Sequence, residues 1–283
     1  MSRADIAAAM SAMERGHTVR TGGGLCWYTL PAFVRAGGTD HGFTTRAGGV
    51  SAGCYASLNL SFSRDEDARE NVMQNYALLA AAAGFPAESM VMDAYEHGAV
   101  VRRVDARDRE RGYTRAPLPP CDGLVTNDPG VTLVTGHADC MAFYFYDPVR
   151  RAIGLAHAGW RGALHRIGPA TVREMTAAYG TDPGDVLAGV GPSICPDCFE
   201  VDGDVAALFR TAFPGLPCEK PPENGKKTRV DLWMVAAAQF MEAGVQPGNI
   251  SFMNVCTVED TALYSHRRDR GQTGGMAAFL RLV

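Results

Sequence analysis

Lysine is nearly missing from this sequence: Lys220, Lys226 and Lys227 are the only ones among 27 basic residues in 283. Against 31 acidic residues the net charge is −4, so the basic surplus that announces nucleic-acid or polyphosphate binding is absent. No run of about 20 apolar residues occurs, which excludes a membrane-spanning helix. The N-terminal "MSRADIAAAMSAMERGH" carries charges inside its Ala/Met stretch and lacks the continuous apolar centre of a secretory signal. Residues 1–20 therefore read as a short amphipathic helix or leader, ahead of a single domain over 21–283. Without a signal the expected compartment is the cytoplasm, and the eight cysteines are expected as reduced thiols, not as a disulfide framework. There is no internal repeat and no low-complexity linker.

What is present is ordinary globular material, 46% apolar and 20% charged, in a chain long enough for a substantial core. Ser63 and Glu66 have capping-box spacing and predict a helix over 63–84, with Ala68, Val72, Leu79 and Ala83 at helical intervals. Further helices are expected over 169–179, 203–213 and 231–243, the last capped by Asp231 and stopped by Gly244. Strands are expected at 25–30, 41–45, 89–95, 99–104, 131–136, 141–147, 152–157, 187–191, 250–256 and 277–282, and loops at 105–120 and 217–229. Several strand connections are too short for a helix, such as "DPVRR" between "MAFYFYD" and "AIGLAHAG". This predicts an α+β fold, a single domain of mixed or antiparallel sheets flanked by helices.

Certain polar residues do not fit a core role. About the turn at Asp147–Arg151, Cys140 of "GHADCM" and His157 of "AHAGWRG" lie nearly equidistant, so an antiparallel hairpin would bring them together. A one-residue slip would put them on opposite faces. His97 in "AYEHGAVVRRV" lies between two strand-like runs, beside Gly98. Three readings stay open for this set: a three-ligand zinc site with one open position, a Cys/His nucleophile pair, or packed core residues. His17, His41, His137, His165 and His266 compete as ligands, and His137 is the most serious because it precedes Cys140 by three residues. Arg161 stands among the glycines of "AHAGWRG" and Arg46 precedes Gly48–Gly49 in "GFTTRAGGVS", places where backbone and guanidinium can meet an anion. The single CxxC, Cys195–Cys198, has no second CxxC to complete a four-thiolate site and reads as a loop, with a redox or metal role as the alternative. Cys26, Cys54, Cys121, Cys218 and Cys256 have no motif around them and read as packing or surface thiols.

The stretches "GFTTRAGGVS", "SLNLSF", "CDGLVTNDPGV", "ADC", "AHAGWRG", "GPSICPDCFEV", "DLW", "CT" and "SHRRDRGQTG" run in order from about residue 40 to the C-terminus. In them the chain resembles the bacterial laccase-domain proteins, also called polyphenol-oxidase-like or purine nucleoside phosphorylase family proteins. The resemblance implies a single α/β domain with a zinc site from Cys140, His157 and the histidine of a Gln-Val-His-Gly motif. That motif here reads Tyr95-Glu96-His97-Gly98, keeping the histidine and glycine. Where the family has an arginine after the terminal Thr-Gly, this chain has Gly275.

The resemblance also implies phosphorolysis of adenosine, inosine and methylthioadenosine, and deamination of adenosine. Purine nucleoside and phosphate would be the partners of a monomer. Copper, implied by the older polyphenol oxidase label, suits the sequence less: seven histidines without an H-x-H pair do not build a multicopper centre, whereas one thiolate and two imidazoles suit zinc. Arg46, Arg161 and Arg267 are the candidates for the anion, and Glu200 or Asp139 for proton transfer. The rival readings are a cysteine hydrolase or amidase using Cys140 with His97 or His157, and a non-catalytic ligand-binding protein.

Overall fold

The computed structural model describes residues 3–63, 67–222, 225 and 227–283. In chain order, α1 (Arg3–Ala12), β1 (Glu14–Arg15), β2 (Thr18–Gly22), β3 (Leu25–Thr29), α2 (Pro31–Ala36), β4 (Thr39–Thr44) and α3 (Arg69–Ala83) come first. They are followed by β5 (Met90–Met92), β6 (Val101–Arg103), β7 (Gly123–Thr126), β8 (Thr132–His137), β9 (Met141–Asp147) and β10 (Ala152–Ala158). Next are α4 (Trp160–Leu164), α5 (Ile167–Tyr179), β11 (Leu187–Val190), β12 (Glu200–Val201), α6 (Gly203–Ala212) and β13 (Glu219–Lys220). The order closes with β14 (Thr228–Val230), α7 (Leu232–Glu242), β15 (Ile250–Phe252) and β16 (Met276–Leu282).

Two mixed sheets carry the fold, as expected for α+β. One runs β1-β15-β11-β9-β10-β7-β6 and the other β2-β3-β4-β16-β8-β5. The period of two along each strand decides what lies between and outside them. On β9, Ala142, Tyr144 and Tyr146 face a core shared with Phe43, Leu133 and Leu280 of the six-stranded sheet. Met141, Phe143 and Phe145 face the other way, onto Met175 of α5, Phe209 of α6 and Phe240 of α7. Every residue of β9 and β10 is buried, so both read as continuous apolar runs because both faces are covered. The outer face of the six-stranded sheet, with Val134 and Phe279, packs under Val72, Tyr76 and Leu79 of α3. Truncating Phe143, which meets Phe240 edge-on at 4.8 Å, would cost about 3–5 kcal/mol.

The helices over 203–213 and 231–243 form as expected, and the Asp231 carboxylate accepts from the Met234 N–H at 2.8 Å. The helix expected from Ser63 starts instead at Arg69. Ser63 pairs with the Ser61 hydroxyl, and Glu66 lies outside the described residues. Ala68 has ψ 132°, outside the helical region, and so stands as the N-cap of α3, while the Asp67 carboxylate accepts from Ser51, Asn59 and Asn71. Within residues 1–20, α1 is followed by strands that join both sheets. The loop expected at 217–229 contains β13 and β14, which with β12 form a small antiparallel sheet. No helix among the described residues is long and apolar enough to cross a membrane.

Candidate functional site

The turn from β8 to β9 carries the chain from one sheet to the other, and Cys140 ends it. Asp139 takes φ 88° at this corner, a region aspartate tolerates better than most side chains. Both its oxygens are engaged: the Thr257 hydroxyl donates to Oδ1 at 2.5 Å and the Arg267 N–H to Oδ2 at 2.7 Å. These two bonds fix the corner that places Cys140.

β9 and β10 pair with His157 opposite Ala142 and Ala158 opposite Met141. Cys140 therefore lies two positions beyond the residue facing His157, where the sequence placed the two side by side. An offset of two keeps both side chains on one face, at the open end of the layer between the sheets. His97 comes from the loop between β5 and β6 with φ 62°. Asp122 holds that loop: its Oδ1 accepts the N–H groups of Glu96 (3.0 Å) and Gly98 (2.9 Å), and its carbonyl accepts the His157 N–H (2.7 Å). The ligand atoms of His97, Cys140 and His157 all lie within 4.8 Å of one another.

The His157 ring is fixed on three sides. It is sandwiched between Tyr95 at 4.2 Å and His137 at 5.0 Å. Its Nδ1 stands 2.8 Å from the Gly136 carbonyl, which can only accept, so Nδ1 carries the proton and Nε2 is bare. That buried Nε2 has no hydrogen-bond partner among the described residues. An orphaned imidazole nitrogen aimed at a thiol and a second imidazole fits a metal ligand whose tautomer is set by a carbonyl behind it. His137 is not a ligand: Nδ1 meets the Cys140 carbonyl at 3.1 Å and Nε2 the Thr135 hydroxyl at 2.7 Å.

Burial, helped by the Asp139 carboxylate, pushes the Cys140 thiol up to about 12. Burial, helped by His97, holds His157 down to about 3. Left to themselves these groups are a neutral thiol and a neutral imidazole, a poor nucleophile and base pair. A divalent cation would favour the thiolate and keep the imidazole neutral.

A cavity of about 580 Å³ opens over the three residues. Trp160, Phe199, Val201, Val205 and Leu232 give it apolar walls, and Ser63, Glu200, Asp202, His266 and Arg267 polar ones. Glu200 is half-buried. Arg267 donates from Nη1 to the Cys198 carbonyl at 3.2 Å and lies over Phe199. The other two expected arginines are not on this wall. Arg46 donates from Nε to the Ala56 carbonyl at 3.0 Å and lies over Tyr264. Arg161 is exposed, its guanidinium 4.1 Å from the Trp160 ring.

Sequence reasoning missed Asp122, Tyr95 and the supporting role of His137. A carboxylate interrupting the apolar "CDGLV" was the available signal for Asp122, since a buried aspartate needs donors to face.

The family model described as "Multi-copper polyphenol oxidoreductase laccase" matches residues 40–283. A protein of Deinococcus radiodurans named purine nucleoside phosphorylase is 43% identical over 242 residues, 86% of this chain and 88% of its own length. Purine nucleoside phosphorylase YlmD of Bacillus subtilis is 35% identical, covering 84% and 87%. The crystal structure of YlmD from Geobacillus stearothermophilus superposes with a TM-score of 0.85 at 35% identity, covering 92% of this chain and 96% of that one. A Bacillus licheniformis protein titled hypothetical protein YfiH does so with a TM-score of 0.85 at 30% identity, covering 94% and 99%. On this sequence and structural likeness, the chain belongs to the laccase-domain, purine nucleoside phosphorylase family.

Proposed function

We propose that this protein is a zinc-dependent purine nucleoside phosphorylase acting on adenosine, inosine and methylthioadenosine, with adenosine deamination as a second reaction. The observation that carries the reading is the convergence of one thiol and two imidazoles on one point, with the buried His157 Nε2 unpaired, at the floor of a cavity of nucleoside size. The names of the relatives support the substrate class. His97, Cys140 and His157 would hold the metal, leaving a fourth position toward the cavity. Zinc held there would supply a Lewis acid that polarises a bound group and lowers the pKa of water.

The remaining steps belong to the side chains. Phe199 and Trp160 offer aromatic faces for the purine. Arg267 supplies positive charge for phosphate at the same wall. Phosphorolysis breaks the bond between ribose C1′ and the base nitrogen and forms one from C1′ to a phosphate oxygen, releasing purine and ribose 1-phosphate. Deamination replaces the amine on C6 with oxygen from water, and Glu200 moves the proton to departing ammonia. Copper oxidase chemistry fits less well, since the groups of potential metal ligands among the described residues are not histidine-rich. The cysteine hydrolase reading loses support from the raised Cys140 thiol. A reducing cytoplasm suits the free cysteines.

Product analysis after incubation with adenosine and phosphate tests this. Adenine with ribose 1-phosphate is the expected outcome, and inosine marks the deaminase activity. Neither product from protein carrying zinc, or full activity after exhaustive chelation, would overturn it.

A further inference from the structure

A second group of ligand-type side chains lies outside this cavity. The thiols of Cys195, Cys198 and Cys256 and a carboxylate oxygen of Glu259 lie within 4.8 Å of one another. They come from two segments: the loop between β11 and β12, and the chain that leaves β15. Backbone bonds clamp these together, with Ser193 N–H donating to the Val255 carbonyl and Thr257 N–H to the Ser193 carbonyl, both at 3.1 Å. The CxxC closes as a turn in which the Cys198 and Phe199 N–H groups both donate to the Cys195 carbonyl.

Cys195 and Cys198 each place Sγ 3.6 Å from the same oxygen, Glu259 Oε1. The Cys195 N–H donates to Cys256 Sγ at 3.4 Å, the kind of amide bond that supports a thiolate ligand. Cys195 and Cys256 are buried. The group opens onto a separate cavity of about 340 Å³ that, among the described residues, shares no lining residue with the first cavity. Three sulfurs and one carboxylate oxygen amount to four donors, the number that closes a tetrahedral structural zinc site, and two of them have the C-x-x-C spacing of such sites. The three soft thiolates favour zinc over magnesium or calcium.

We propose that Cys195, Cys198, Cys256 and Glu259 form a second, structural zinc site that fastens the loop before β12 to the chain leaving β15. The loop it fastens continues directly into Phe199, Glu200 and Val201 on the nucleoside cavity. Its ends are bonded to the first site, through Ile194 N–H on the Asp139 carbonyl and Arg267 on the Cys198 carbonyl. Metal binding here is independent of the reaction in the cavity; only the consequence for Glu200 and Phe199 rests on the proposed function.

The test is metal stoichiometry of the full chain, produced with zinc and purified under reducing conditions through gel filtration. The wild type is expected to retain about two zinc ions per chain, and Cys140→Ala and Cys198→Ser about one each. Cys140→Ala loaded with cobalt is expected to keep an intense thiolate-to-cobalt charge-transfer band that Cys198→Ser in the same background loses. Glu259→Gln keeps the fold's sulfurs and reads the site if Cys198→Ser does not fold, with weaker retention of the second ion. One zinc per chain in the wild type, disappearing in Cys140→Ala, overturns the proposal, as does a cobalt-loaded Cys140→Ala without the band. A Cys195–Cys198 or Cys195–Cys256 disulfide as the stable state of the reduced preparation, read by intact mass, would do the same. None of these readouts depends on turnover, so failure of the phosphorylase reading leaves this result standing.

Discussion

Gly159 and Cys140 approach so closely that a Cβ on Gly159 would lie 3.1 Å from Cys140 Sγ. The same Cβ would lie 3.0 Å from His97 Cδ2 and 3.8 Å from His157 Nε2. Gly159 has φ −70°, which any residue adopts, so a side chain here would act through space, pressing on His97 and Cys140, and not through backbone strain. Gly159→Ala is expected to fold normally and to bind zinc at the first site on the order of tenfold or more weakly. Chelator competition against the wild type measures this; unchanged affinity would mean that the three side chains do not converge on an ion.

Asp122 ties the His97 loop to the His157 backbone and does not line the cavity. Asp122→Ala removes the acceptor for two N–H groups of the His97 loop and is expected to cost about 10–100-fold in zinc affinity. Asp122→Asn keeps one carbonyl oxygen and should lose less. Equal loss in the two variants would show that charge, not positioning, is what Asp122 supplies.

The three arginines are expected to separate kinetically. Arg267→Ala is expected to raise KM for phosphate by roughly tenfold or more, the worth of a charge-assisted contact. Arg46→Ala and Arg161→Ala should leave that constant within about twofold once stability is controlled, since neither guanidinium is on the cavity wall. Initial rates at varied phosphate decide; a large effect from Arg46 would relocate the anion.

Acid sensitivity should come from buried neutral histidines. His41 accepts the Leu30 N–H at 2.8 Å through Nε2, and burial holds its pKa down to about 3. The unfolded chain takes up this proton near the ordinary value of about 6.5 while the folded chain does not. Stability is therefore unaffected by His41 above that pH and falls as pH drops from about 6.5 toward 3, by about 1.4 kcal/mol per pH unit. His41→Asn should flatten that limb in urea titrations, whatever it does to stability at pH 8. An unchanged slope would mean that His41 does not titrate in this window.

Local patterns were readable because they depend on near neighbours. The run "MAFYFYDPVRRAIGLAHAG" specifies a hairpin buried on both faces, and Asp231 marks the start of α7 by a bond three residues ahead. The small strands β12 to β14 were not readable, because each is two or three residues long and exists only through its partners. The same limit fell on the site. Cys140 and His157 were legible as a pair, but their two-residue offset is a matter of register, which the turn and the facing core fix together.

Sequence by itself determined the alternation of strands and helices, the hairpin, and the residue types from which a metal centre could be drawn. Tertiary structure decided which of them meet. It consumed both nitrogens of His137 and left His157 Nε2 bare. It turned Asp139 into a bracket and put Arg46 and Arg161 off the cavity wall. It also gave the lone CxxC the partners that its own neighbourhood lacks, Cys256 and Glu259. The reason is the same in each case: periodicity is set by bonds a few residues apart, whereas a ligand set is closed by strand pairings between segments far apart in the chain.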